Sequence, residues 1–211
     1  MDGDQFAQLT EKPKLNEIDF NTLIDYYEKY LAPYIYEFEL DNGDKFSLKF
    51  GWQHFPHLIG LHKPAEAAFG RKSPKVLRYK GMYGYKQLKK GKITKETLKN
   101  LNKSAYKDMK SKMVNFYLLH KFLTRNDAAE YIRVQNNINN IDILLYEKQD
   151  DFYIHLGITK AGGEGQYAPT TFFIESITEH STGDKYIKGQ NPLQIVVYRR
   201  ISTDTKIETS K

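Results

Sequence analysis

Two runs in which apolar and polar residues alternate, Tyr34-Ile35-Tyr36-Glu37-Phe38-Glu39-Leu40 and Lys45-Phe46-Ser47-Leu48-Lys49-Phe50, flank the tetrapeptide Asp41-Asn42-Gly43-Asp44. A period of two sends successive side chains to opposite faces of a strand, and Asn-Gly tolerates the positive φ angles of a tight turn. The stretch therefore predicts a β-hairpin with one dry and one wet face, and the fold must cover the dry one. Just upstream, Phe20, Leu23, Ile24, Tyr27, Tyr30 and Leu31 recur at three and four. That spacing predicts an amphipathic helix capped by Asp19 or Asn21 and ended by Pro33. Residues 1–18 are polar and read as an N-terminal tail.

Beyond the hairpin, Trp52, Phe55, Leu58, Ile59 and His62 share one helical face. A short helix from Gln53 to Leu61 is expected, with Pro64 pushing Lys63 out of helical geometry. Over residues 65–92 the periodicity dissolves into Gly, Pro, Lys and Tyr, the composition of a basic insert that forms a loop or lid. Helical spacing resumes from Thr94 to Asn102, then through Met109, Met113, Phe116, Tyr117, Leu119, His120 and Leu123. After a turn at Asn136–Asn140, strands are expected at Ile141–Tyr146, Phe152–Ile158, Tyr167–Glu175 and Leu193–Ile201. The glycines of Ala161-Gly162-Gly163-Glu164-Gly165 lack the spacing and following helix of a dinucleotide or phosphate loop, and read as a hairpin loop. The expected fold is α+β: N-terminal helices and a β-hairpin packed with a four-stranded antiparallel sheet, one domain over 19–201, followed by a polar C-terminal tail at 202–211.

With no cysteine in 211 residues, disulfides, thiol nucleophiles and cysteine-based zinc sites are excluded. No run of eighteen apolar residues and no apolar leader occurs, so the expectation is a soluble, cytoplasmic protein without a membrane partner. The net charge of +6 is modest, but its placement is uneven. From Lys72 to Lys121 there are fifteen Lys and Arg, opposed only by Glu96 and Asp108. A run of nearly one sign fits either a solvated helical face or an electrostatic footprint for nucleic acid. Lys72, Lys75, Arg78 and Lys80 are its leading candidate contacts, with Tyr198 and Arg199 on the last strand.

Three of the six histidines fall in one short stretch, His54, His57 and His62, followed at once by Lys63. Histidine exchanges protons near neutral pH, and a permanent cation beside it can hold a phosphate. Cleaving RNA without a metal needs a group to deprotonate the 2′-hydroxyl, one to protonate the leaving 5′-oxygen, and a cation on the phosphate between them. His57 and His62 suit the acid and base roles, Lys63 the cation, and a hydroxyl from Thr170 or Thr171 could orient a phosphate oxygen. On its apolar face His62 also fits a buried core histidine. A zinc site built from His54, His57, His62 and Glu66 is disfavoured, because spacings of three and five on a short helix do not bring three rings together. A serine hydrolase is disfavoured by the lack of a Gly-x-Ser-x-Gly elbow.

Four segments carry a family likeness: Tyr36-Glu37-Phe38-Glu39-Leu40-Asp41-Asn42-Gly43-Asp44, Phe55-Pro56-His57-Leu58-Ile59-Gly60-Leu61-His62-Lys63, Asp142-Ile143-Leu144-Leu145-Tyr146 and Pro169-Thr170-Thr171-Phe172-Phe173-Ile174-Glu175. In this order they resemble a phage-associated group of the barnase, EndoU, colicin and RelE-like nuclease superfamily, over roughly residues 34–201. The resemblance implies a compact α+β domain and metal-independent RNA cleavage without a cofactor. Carried onto this chain it points at His57, His62, Lys63 and Thr171, with threonine where the group's strand motif usually has serine. Two functions follow as expectations. One is a metal-independent endoribonuclease, a toxin or phage effector acting on tRNA or other RNA. The other is a catalytically silent nucleic-acid-binding or inhibitor protein of a mobile element, directed at a host defence factor.

Overall fold

A computed structural model describes residues 1–124, 127–130 and 141–203, and divides the chain into two compact units. One comprises Met1–Ala32 with Gly51–His120, the other Pro33–Phe50 with Lys121–Lys211. The turn expected at Asn136–Asn140 and the last eight residues of the C-terminal tail lie outside the described residues.

The first unit is helical. Its elements are α1 (Gly3–Ala7), α2 (Phe20–Tyr30), α3 (Phe55–Leu58), α4 (Lys63–Phe69), α5 (Gly81–Lys89), α6 (Lys95–Leu101) and α7 (Lys103–Asn115), with short 3-10 turns at Trp52–His54, Pro74–Tyr79 and Phe116–Leu118. As the sequence predicts, Asp19 caps α2, its carboxylate accepting the Thr22 N–H at 2.8 Å. This cap satisfies one of the amide donors that a helix start leaves unpaired. Tyr26 and Tyr27 of α2 are fully buried among Phe6, Phe55 and Phe116. The Tyr27 hydroxyl reaches the Gly51 carbonyl at 2.9 Å, so its polar end is satisfied while its ring packs. Phe55 and Leu58 therefore face inward from α3, and this orientation fixes which side of α3 His57 occupies.

Three expectations for this unit are corrected. The polar lead-in carries α1, which buries Phe6 and Ala7. The Lys95 ammonium ties the following segment down by donating to the carbonyls of Leu15, at 2.6 Å, and Ile18. The helix expected from Gln53 to Leu61 breaks at Gly60, and Lys63 is not expelled by Pro64 but begins α4 with it. A proline in the first turn costs no hydrogen bond, because those N–H groups have no helical partner. The stretch 65–92 is not a loop: α4, the Pro74–Tyr79 turn and α5 fill most of it and bury Ala65, Val76, Tyr79, Tyr85 and Leu88.

The short helix α8 (Leu119–Phe122) leads into the second unit. This unit is a mixed sheet of β1 (Tyr34–Leu40), β2 (Lys45–Lys49), β3 (Asp127–Glu130), β4 (Ile143–Lys148), β5 (Phe152–Lys160), β6 (Gln166–Ser176), β7 (Asn191–Leu193) and β8 (Ile195–Ser202). The strand order is β7-β3-β4-β5-β6-β2-β1-β8. The α+β class holds, but the four-stranded sheet is corrected. Six strands run in series from β4 to β8, the short β3 and β7 extend the β4 edge, and the hairpin is a part of the sheet instead of a layer on it. It joins because β2 offers its free edge to β6 in parallel, Ser47 opposite Gln166, while β1 pairs with β8. The single strand expected over Leu193–Ile201 divides at Gln194 into β7 and β8, which lie at opposite ends of the strand order. One residue cannot span an open sheet, so the sheet curls until its two edges converge at Gln194. The Gln194 carbonyl accepts the Asp41 N–H at 2.9 Å and pins that junction to the hairpin.

Candidate functional site

The turn between α3 and α4 assembles the site. Gly60 has φ +76°, a conformation that glycine adopts without the steric cost a Cβ would bring. The chain folds tightly around it: Leu61 N–H donates to the Pro56 carbonyl at 2.8 Å and Lys63 N–H to the Gly60 carbonyl at 3.0 Å. This reversal lays the His57 and His62 rings face to face, 4.5 Å between centroids and 1° from parallel. His57 is exposed, whereas His62 is 3% exposed and its Nδ1 has no hydrogen-bond partner among the described residues. Both readings of His62 are therefore partly met: it is buried like a core histidine, yet it backs an exposed one.

Cations surround the pair. Although His57 reaches solvent, its ring lies against the buried His62, and desolvation first, then the charges of Lys112 and Lys63, lower it to about 4, with Glu66 opposing. Desolvation likewise holds His62 down to about 2, reinforced by His57, Lys63, Lys80 and Lys112. Both rings are therefore neutral near pH 7, and because each repels a charge on the other, only one proton is accommodated at a time. Lys112 is half-buried on α7, and desolvation together with Lys63 lowers its ammonium to about 8 against the pull of Asp108. Lys80 is paired with Glu66 at 2.7 Å. The cluster can supply a neutral base, a stacked ring behind it and positive charge for a phosphate.

The structure thus brings His57, His62 and Lys63 together, and adds Lys112, which sequence reasoning missed. Its only signal was its place on α7 between the buried Met109 and Met113, where a lysine stem must lie along the core face. His54 is not part of the pair: its Nδ1 accepts the Gly51 N–H at 3.0 Å, which places the proton of the neutral ring on Nε2. Among the described residues no group of three His, Asp or Glu is arranged to hold a metal ion.

Thr171 belongs to the sheet unit. It lies on β6 opposite Gly157, and a Cβ added at Gly157 would come within 2.9 Å of its methyl. The missing side chain of Gly157 thus makes room for the methyl that distinguishes threonine from serine. Thr170 is the extra residue where the β5–β6 register slips. Tyr198 and Arg199 lie on β8. The Tyr198 ring packs between Phe38 and Tyr36 with its hydroxyl unpartnered among the described residues, and Arg199 is exposed opposite Glu37. In the helical unit Lys72, Lys75 and Arg78 are exposed, Lys75 lying over Phe69 at 5.3 Å and Arg78 over Tyr79 at 5.5 Å. Tyr79 is buried and Phe69 exposed, so the cations keep their charge at the surface while each covers one ring face. Among the described residues no helix is long and apolar enough to cross a membrane.

A family model described as phage-Barnase-EndoU-ColicinE5/D-RelE like nuclease4 matches residues 22–211. No curated protein and no solved structure matches the chain. The chain belongs to this nuclease family, and membership implies a nucleic-acid substrate.

Proposed function

We propose that this family member is a metal-independent endoribonuclease whose reacting centre is the His57–His62 pair with Lys63. The observation that carries the reading is the parallel stack of two neutral imidazoles, one exposed and one sealed, among lysines in a nuclease-family chain. His57, neutral near pH 7 and open to solvent, takes the proton of a 2′-hydroxyl. The O2′–phosphorus bond forms, the phosphorus–O5′ bond breaks, and a 2′,3′-cyclic phosphate results. In-line displacement places the attacking and leaving oxygens on opposite sides of phosphorus, so a ring stacked directly on the base cannot reach the leaving oxygen. His62 therefore acts as backing: it fixes the His57 ring and disfavours a resting proton on it. Lys63 neutralises the phosphate and donates the proton that O5′ needs. Thr171 stands in the other unit, and the reading rests on the helical unit alone.

The experiment is incubation of the purified protein with total RNA in excess chelator. Fragments are expected, and they should vanish with a folded His57→Ala variant. Intact RNA combined with tight, salt-sensitive binding would overturn the reading and favour the silent nucleic-acid-binding alternative, since phosphate contacts weaken as salt rises.

A further inference from the structure

Between α4 and α7 lies a cleft of about 460 Å³, lined by Gly60 and Lys63 of the turn that carries the histidine pair and by Glu66, Asp108, Met109 and Lys112 among others. A Cβ at Gly60 would lie 3.6 Å from Lys112 Cδ and 3.8 Å from Lys63 Cγ, so the two lysine stems flank the one residue that presents no side chain. Among the described residues neither ammonium is part of an ion pair. The carboxylate of Glu66 is committed to Lys80 at 2.7 Å, which leaves exposed Asp108, one turn before Lys112 on α7, as the opposing charge in the lining. The two ammonium groups, on stems that meet at Gly60, repel each other, and an anion bound to both would relieve that repulsion while gaining two charge-assisted hydrogen bonds.

We propose that this cleft is a phosphate subsite, in which Lys63 and Lys112 grip a backbone phosphate of the bound polynucleotide over Gly60. The identity of the ligand as a polynucleotide rests on the ribonuclease reading, whereas the affinity for phosphate does not. Lys112 is a binding residue here, and the missing side chain of buried Gly60 lets both lysine stems pack against the turn that carries His57.

The test is titration of the full chain with inorganic phosphate, followed by NMR of the lysine ε-methylene, Gly60 amide and histidine ring signals. Saturable shifts are expected at Gly60, Lys63 and Lys112, with the His57 pKa rising as an anion settles beside it. Lys112→Met should weaken phosphate at least about tenfold. It should also raise the His57 pKa of the free protein, because the largest charge depressing it is gone. Ala67→Glu, on an exposed position of the cleft rim, should weaken phosphate without touching either lysine, and Lys99→Met on α6 should leave it unchanged. Phosphate that leaves these signals unmoved, or binds Lys112→Met as it binds the parent, overturns the subsite. Phosphate binding without RNA cleavage would instead sustain the subsite and remove the ribonuclease reading; cleavage without phosphate shifts would do the reverse.

Discussion

Each compact unit buries one histidine without full hydrogen bonding, and this predicts a steep acid sensitivity. His62 is 3% exposed with Nδ1 unpartnered, while His155 on β5 is fully buried with neither ring nitrogen partnered among the described residues, its ring stacked on Phe173 at 4.6 Å. Desolvation holds His62 down to about 2 and His155 down to about 4. The nearby Tyr153 backbone opposes the His155 shift. In the unfolded chain both groups titrate near ~6.5. The folded values lie below the unfolded one, so the unfolded state takes up protons first. Stability is complete above about pH 6.5 and falls with pH toward the folded values. Each histidine then contributes a slope of about 1.4 kcal/mol per pH unit, and by about pH 4.5 each has removed roughly 2.5 kcal/mol. Against a typical stability of about 5–15 kcal/mol that loss is large. Urea unfolding across this pH range measures it, with fluorescence of Trp52 reporting the helical unit and far-ultraviolet circular dichroism the whole chain. His155→Phe, which keeps a ring against Phe173 and Tyr186, should flatten the slope by about 1.4 kcal/mol per pH unit. Equal slopes for parent and variant between about pH 6.5 and 4.5 would refute the reasoning, because the buried imidazole would then not be the group that titrates.

Three further outcomes are expected. Lys95→Met strands the carbonyls of Leu15 and Ile18 and should cost about 1–3 kcal/mol in urea unfolding; an unchanged midpoint would show that the lead-in is held by packing alone. Gly60→Ala forces a Cβ into a φ of +76° and should cost about 1–2 kcal/mol, read as a lower thermal midpoint, with the His57 ring signals displaced as the stack shifts. Affinity for phosphate should fall as pH rises through about 8, where Lys112 gives up its proton; affinity that does not fall across that range would exclude Lys112 as a ligand.

The parts of the fold set by local chemistry were legible in the sequence. Asp19 caps α2 because a short carboxylate before an apolar-periodic run has few better uses, and Asn42-Gly43 turns the hairpin because few other pairs can. The helices within residues 65–92 escape sequence reading because α4, the Pro74–Tyr79 turn and α5 are seven, six and nine residues long, too short for periodicity to accumulate. The division at Gln194 was hidden because apolar character runs on through it, and only the closure of the sheet requires two strands there. At the site, His57, His62 and Lys63 are visible in the sequence because they fall close together, from the end of α3 to the start of α4. Lys112 was not, since it arrives from a helix about fifty residues downstream and nothing local distinguishes it from the other lysines of that basic stretch.

The most direct measurement is end-group analysis of RNA cleaved in excess chelator, run beside a 2′-O-methyl copy of the same oligonucleotide. The account predicts 2′,3′-cyclic phosphate and 5′-hydroxyl ends from the RNA and no cleavage of the methylated copy, because His57 has no proton to take there. Cleavage of the methylated copy, or products bearing 5′-phosphate, would contradict attack by the 2′-hydroxyl and with it the role given to the histidine pair.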